Sequence, residues 1–162
     1  MKSLLVLRHA KSSWSNVYLA DFERPLNARG QHDAPRVGQL LHDEDLVPDL
    51  IITSSAERAL RTAELVALNC DYPGQLMATR QFYHADPDIY LEVLRHVSDE
   101  HGRVMVVGHN PGMEELVEEL SGEYVEMPTG ALVHLQLDIP TWADASDEMP
   151  VKLLNVWRPK EI

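Results

Sequence analysis

Arg8 and His9 stand directly after the apolar run Leu4-Leu5-Val6-Leu7. A guanidinium presents a planar fork of N–H donors suited to phosphate. An imidazole can serve as a base, a nucleophile or a metal ligand. Taken alone, Arg8-His9 reads as an ordinary polar strand end. Two further places repeat the arrangement. Leu50-Ile51-Ile52 is closed by Thr53-Ser54-Ser55, with Arg58 one turn on, and Val104-Met105-Val106-Val107 runs into Gly108-His109.

Short continuous apolar runs of this kind predict strands buried on both faces, as in the middle of a parallel sheet. Parallel strands joined by right-handed helical crossovers bring their carboxyl ends to one edge. Ligands of open α/β sheets bind in the crevice beyond that edge. Two arginines and two histidines would meet there. Helix N-termini near Ser55 and Asn110 would add backbone N–H groups. Such a pocket favours a tetrahedral anion, with phosphate the natural candidate. No carboxylate cluster accompanies the histidines, so a metal site is the weaker reading. No glycine-rich nucleotide loop is present, which disfavours a nucleotide-binding oxidoreductase.

The elements between these strand ends follow from local signals. Lys11 to Arg24 has no hydrophobic period and reads as a long loop, of a length that is usually functional or disordered. Trp14, Tyr18 and Phe22 predict that it is packed and forms one wall of a pocket. Asn27 is a good N-cap for a helix running to about Asp43, with Val37, Leu40 and Leu41 on its buried face. Gly30 weakens that helix and Pro35 should kink or split it. A second helix is expected from near Ala56 to about Asn69, packed through Ala59, Ala63, Leu65, Val66 and Leu68. Arg58 lies in its first turn, where positive charge opposes the helix dipole. Broken local rules concentrate at functional sites, although Arg58 also fits a surface arginine paired with nearby acids.

Gln75 to Thr79 reads as a short strand. Asp86-Pro87 is a cap followed by a first helical residue, and the helix it opens carries Ile89, Leu91, Val93, Leu94 and Val97. Asn110-Pro111 should start another helix by the same logic, with Met113, Leu116, Val117 and Leu120 inward and its glutamates solvated. Ser121-Gly122 ends it. Ala131 to Ile139 alternates, which sets His134 and Gln136 on the solvent side. Lys152 to Arg158 is expected as a last, antiparallel edge strand.

The chain is long enough, at 162 residues, for one domain with a full core, and residues 1–162 are read as a single domain. Twenty-six acids against fourteen bases give a net charge of −12, which argues against a nucleic-acid partner. A phosphate pocket must then be a local cationic island. Cys70 is the single cysteine, so no internal disulfide and no multi-cysteine zinc site can form. The absence of a signal-peptide layout or a long apolar span, with a strand directly after Met1, predicts a cytoplasmic protein without a membrane partner. Nothing demands an oligomer, and a monomer is expected.

Four motifs in order carry a family resemblance. Arg8-His9-Ala10 resembles the Arg-His-Gly signature of the histidine phosphatase superfamily. Arg24-Pro25-Leu26-Asn27-Ala28-Arg29-Gly30 resembles the segment leading into its first helix. The stretch from Ser54 to Ala63 looks like its second-arginine motif, and Val107-Gly108-His109-Asn110-Pro111-Gly112 its second-histidine motif. They span residue 2 to about 139. The short chain and the Gly-His-Asn-Pro-Gly variant are most similar to the SixA-like branch, which acts on phosphohistidine. The implied fold is an α/β three-layer sandwich, phosphoglycerate mutase-like, whose mostly parallel central sheet is flanked by helices.

The implied activity is a metal-independent phosphatase without cofactor, in which His9 becomes a transient phosphohistidine. The resemblance makes Arg8, Arg58 and His109 ligands of the non-bridging oxygens, with Arg24 reaching the same phosphate. Arg61 rivals Arg58, which is preferred because it lies nearer the helix start. Two departures stand out. Ala10 replaces the glycine, a strain of about 1 kcal/mol if the position needs a positive φ. No glutamate follows the third strand, where larger members place a general acid. Asp86 and His84 are the nearest substitutes, better explained as a helix cap and a loop residue. A missing acid selects for an activated leaving group, as in protein phosphohistidine. A small-molecule phosphomonoesterase and a weakly catalytic phosphoprotein-binding module on the same fold are the alternatives.

Overall fold

β1 (Lys2–Arg8) lies in the interior of a six-stranded sheet in the computed structural model, which describes Met1 to Ile162. Leu4 and Val6 enter one apolar layer and Leu5 and Leu7 the other, so the unbroken apolar run is satisfied on both faces. β2 (Leu50–Ser54), β3 (Met77–Thr79), β4 (Arg103–Gly108), β5 (Leu132–Leu137) and β6 (Val151–Trp157) complete the order β3-β2-β4-β1-β5-β6. β1 to β4 are joined by parallel ladders, whereas β5 runs antiparallel to both β1 and β6. The three-layer α/β sandwich is the expected one.

Helices α1 (Ala28–Asp43) and α2 (Glu57–Asn69) cover one face through Val37, Leu41, Ala63 and Val66. Helices α3 (Pro87–Arg95) and α4 (Gly112–Ser121) cover the other through Leu91, Leu94, Met113 and Leu116. Asn27 caps α1 by accepting from the Gly30 N–H, and Asp86 caps α3 by accepting from the Ile89 N–H. Gly122, at φ +78°, closes α4. No helix is long and apolar enough to cross a membrane.

Several local expectations are corrected. Pro35 does not split α1, which continues to Asp43 because its far half is held on α2. Gly38 makes that contact close: a Cβ there would stand 2.6 Å from the Val66 carbonyl oxygen. Leu68 is exposed rather than packed, and the third strand shrinks to three residues. Helix α4 starts after Pro111, one residue later than expected, and Asn110 instead bridges the Glu114 N–H and the Met127 carbonyl. His134 is buried, not solvent-facing, and its ring bonds Ser3 Oγ at 2.7 Å. The reason is that β5 is an interior strand, with Leu5 of β1 and Asn155 of β6 flanking His134 in register and Ser3 bonded to its ring, so alternation no longer marks an exposed side. In the loop after His9, Trp14 and Tyr18 are 71% and 95% exposed, and only Phe22 packs inward, edge-on to Tyr83.

Gly30 connects this scaffold to the site. A Cβ at Gly30 would fall 2.1 Å from the Lys11 carbonyl oxygen, two residues past His9. That oxygen also accepts from the Asn27 N–H at 3.0 Å. Alanine is ordinarily the better helix former by about 1 kcal/mol, but here it meets backbone that cannot rotate away. Gly30→Ala is therefore expected to destabilise the protein by about 1–3 kcal/mol, read as a lower urea midpoint. An unchanged or raised midpoint would contradict the close approach.

Candidate active site

The parallel ladders bring Arg8 beside Gly108, and the His9 N–H donates to the Gly108 carbonyl at 3.1 Å. His9 and His109 thereby leave adjacent strands side by side, with ring centroids 5.0 Å apart and both rings buried. The Nδ1–H of His9 donates to the Ala10 carbonyl at 2.7 Å. This fixes the tautomer and leaves Nε2 as the ring's lone-pair nitrogen. Burial is the main cause that lowers the His9 pKa to about 3, with His109, Arg58 and Arg8 adding to it. His109 is lowered to about 4, again by burial first and Arg58 second. Its Nε2 bonds Ser54 Oγ at 2.8 Å, and its buried Nδ1 has no protein partner. Both imidazoles are neutral at pH 7.

Ala10 carries no strain, since it is absent from the positive-φ residues. Its N–H donates to Thr62 Oγ1 at 3.0 Å, which ties the end of β1 to α2. Arg58 is buried in the first turn of α2, whereas Arg61 points outward and pairs with Glu64 at 3.8 Å. Arg8 extends from the end of β1, donates to the Met127 carbonyl at 3.0 Å and keeps a buried Nε without partner. Arg24 is buried too. Its Nε donates to the Ser13 carbonyl, its Nη2 to Ser12 Oγ, and its guanidinium lies under the Trp14 ring. The exposed tryptophan thus walls the arginine, not a cavity.

The residue that sequence reasoning missed is Asp21. Its Oδ1 accepts from Arg24 Nη1 at 2.8 Å, and its Oδ2 from Arg58 Nη2 at 3.0 Å and from the Tyr83 hydroxyl at 2.6 Å. These three donors hold its carboxyl well below the usual carboxylate range, the Tyr83 bond contributing most. The Asp21-x-x-Arg24 spacing was the available signal, but its other partners are distant in sequence. His84, in left-handed backbone, is exposed and stacks on Tyr83 at 4.0 Å. Asp86 is exposed and serves as the α3 cap. No three His, Cys, Asp or Glu side chains are grouped as metal ligands.

Two outcomes follow from this geometry. Asp21→Asn removes the charge that aligns two guanidiniums, so kcat/KM is expected to fall about 10–100-fold. Because Asp21 is held ionised, the loss should be equal for phosphoramidate and phosphate-ester substrates. A loss confined to esters would make Asp21 a proton donor instead. The second concerns stability. Unfolded histidines bind protons below about pH 6.5, but native His109 does so only near 4 and His9 near 3. The unfolded state therefore binds more protons in between, and stability should drop as pH falls from 6.5 towards 4, by up to about 1.4 kcal/mol per pH unit for each group. His9→Asn should flatten that slope in thermal melts, and an unchanged slope would contradict a desolvated neutral His9.

The family model of the histidine phosphatase superfamily (branch 1) matches residues 4–79. An uncharacterized chloroplastic protein of Arabidopsis thaliana is 31% identical over 158 residues, covering 89% of this chain and 70% of that one. The protein belongs to the histidine phosphatase superfamily. The SixA protein of Agrobacterium tumefaciens, 28% identical, superposes with a TM-score of 0.83 over 98% of each chain. That full-length match carries the half containing His109, beyond the family model's reach, and sets the chain in the SixA-like branch. A 2,3-bisphosphoglycerate-dependent phosphoglycerate mutase of Streptomyces avermitilis is 40% identical over 70 residues, covering 42% of this chain but 28% of its own length. The chain is thus a phosphatase of this superfamily, and its match to the mutase spans less than a third of that protein.

Proposed function

We propose that this histidine phosphatase removes phosphate from protein phosphohistidine. His9 Nε2 attacks phosphorus in line, forming a new N–P bond as the bond to the substrate's imidazole nitrogen breaks. The departing imidazole takes its proton from solvent. Water then attacks phospho-His9, releasing inorganic phosphate and regenerating the imidazole. Arg8, Arg58 and the free Nδ1 of His109 serve the non-bridging oxygens, with Arg24 behind Asp21 as a fourth ligand.

The observation that carries the substrate class is the state of Asp21. It is the carboxylate beside the reacting groups, and its two arginines and Tyr83 keep it ionised. A site without a carboxylic acid does not readily protonate an alkoxide, whereas a phosphoramidate needs no such help. General acid assistance is commonly worth about 10²–10⁴-fold. One peptide carrying either phosphohistidine or phosphoserine at the same position tests this. Without added metal, kcat/KM is expected to favour phosphohistidine by at least about 10²-fold; parity, or preference for phosphoserine, would overturn the proposal. The phosphomonoesterase reading has one observation in its favour. The Tyr83 ring lies 5.6 Å from His109 and brings a proton-bearing hydroxyl to the site.

A further inference from the structure

A second cationic feature begins where the phosphoryl site ends. A cleft of about 480 Å³ is lined by Arg8, Lys11, Arg29, Arg158 and Lys160, with Glu126 and Glu161 on its walls. Five of the chain's fourteen lysines and arginines therefore line one cleft on a protein of net charge −12. Arg8 belongs to both places, since it ends β1 beside His9 and also lines the cleft.

The walls come from four distant parts of the chain and are fixed at the backbone. The Gly130 N–H donates to the Arg8 and His9 carbonyls at 3.1 and 2.9 Å, which seats the Pro128–Thr129 wall on the catalytic strand end. Pro159 packs over Gly130, where a Cβ would lie 2.8 Å from its Cγ, so the segment after β6 is seated there too. Lys11 and the first turn of α1, which carries Arg29, are locked together by the Gly30 contact. Within this frame Arg29 pairs with Asp33 at 3.4 Å and Arg158 with Glu161 at 3.5 Å. Lys11 and Lys160 are exposed and make no ion pair. With Glu126 and Glu161 the two acids on the walls, the five cations leave the lining net positive.

We infer that this cleft is an anion subsite that takes carboxylate side chains flanking the phosphorylated residue of the substrate. The inference rests on the protein phosphohistidine reading. A net positive lining with unpaired lysines beside a phosphoryl site attracts anions, and the acidic surface elsewhere repels an extended polyanion such as nucleic acid. A short acidic segment leaving the phosphohistidine past Arg8 would lie along Lys11 and Lys160. Each solvent-exposed pair is modest and screened by salt.

The test uses two phosphohistidine peptides, identical except for flanking glutamates or glutamines. Wild type, the Lys11→Gln/Lys160→Gln double variant and Lys152→Gln are compared at low and high salt. Lys152 pairs in register with Gln136, at the opposite end of the sheet from Arg8, and controls for net charge. The glutamate peptide is expected to show a KM about three- to tenfold lower at low salt. That advantage should vanish in the double variant and at high salt but survive in Lys152→Gln, with kcat unchanged throughout. Equal KM values for the two peptides in wild type, or an advantage that survives in the double variant, would overturn the subsite. Calorimetric titration with the unphosphorylated glutamate peptide separates the two readings. If no phosphohistidine peptide is hydrolysed, the substrate reading fails, while binding by wild type and its loss in the double variant still decide the subsite.

Discussion

His9→Ala is expected to lower kcat on phosphohistidine and aryl phosphates by on the order of 10⁴–10⁶-fold, with the fold retained. The expectation follows from where the ring stands. It is buried, neutral and oriented by a single bond from Nδ1 to the Ala10 carbonyl, so no other element depends on it. His109, its ring centroid 5.0 Å away, is not expected to replace it, because its Nε2 is bonded to Ser54 Oγ and its Nδ1 is assigned to the non-bridging oxygens. Circular dichroism should match wild type while turnover disappears. A variant retaining more than about a tenth of the rate would remove His9 from the chemistry.

Arg58→Ala carries the next largest effect, an expected fall of about 10²–10³-fold in kcat/KM. Arg58 is the buried cation that shares Asp21 with Arg24, and it lowers the pKa of both histidines. Its removal takes away a donor for the developing charge and unbalances Asp21. Arg58→Lys should recover little of the loss, since an ammonium cannot reproduce the fork to the Asp21 carbonyl and carboxylate. Arg61→Ala, on the exposed side of the same helix, should stay within about twofold of wild type. Equal losses at Arg58 and Arg61 would mean that the helix, and not the buried guanidinium, matters.

Much of this arrangement is legible in the sequence because the decisive signals are local. Three apolar runs ending in Arg8-His9, Ser54-Ser55 and Gly108-His109 mark doubly buried strands, and their carboxyl ends meet on one edge. Asn27 and Asp86 announce helix starts through their own side chains. Arg58 stands out because it violates the dipole rule in a first turn.

The features that escape depend on contacts between distant residues. Asp21 looks like any loop acid until Tyr83, 62 residues on, and Arg58, 37 residues on, close around it. The alternation at His134 reads as a half-exposed strand because nothing local reveals that β1 and β6 flank β5 and that Ser3 meets the ring. Trp14 and Tyr18 carry the composition of a packed loop, yet the fold offers them no apolar neighbour layer. The cationic cleft needs Arg158 and Lys160 to return to the start of the chain, which no periodicity encodes.

The most direct measurement is the covalent intermediate itself. Wild-type protein, free of added metal, is mixed briefly with a ³²P-labelled phosphohistidine protein and quenched in alkaline denaturant. The account predicts label on the phosphatase chain, in the peptide containing His9, stable to alkali and lost in acid, with none in His9→Ala. Turnover without any labelled phosphatase, or label on another residue such as Cys70, would contradict nucleophilic attack by His9.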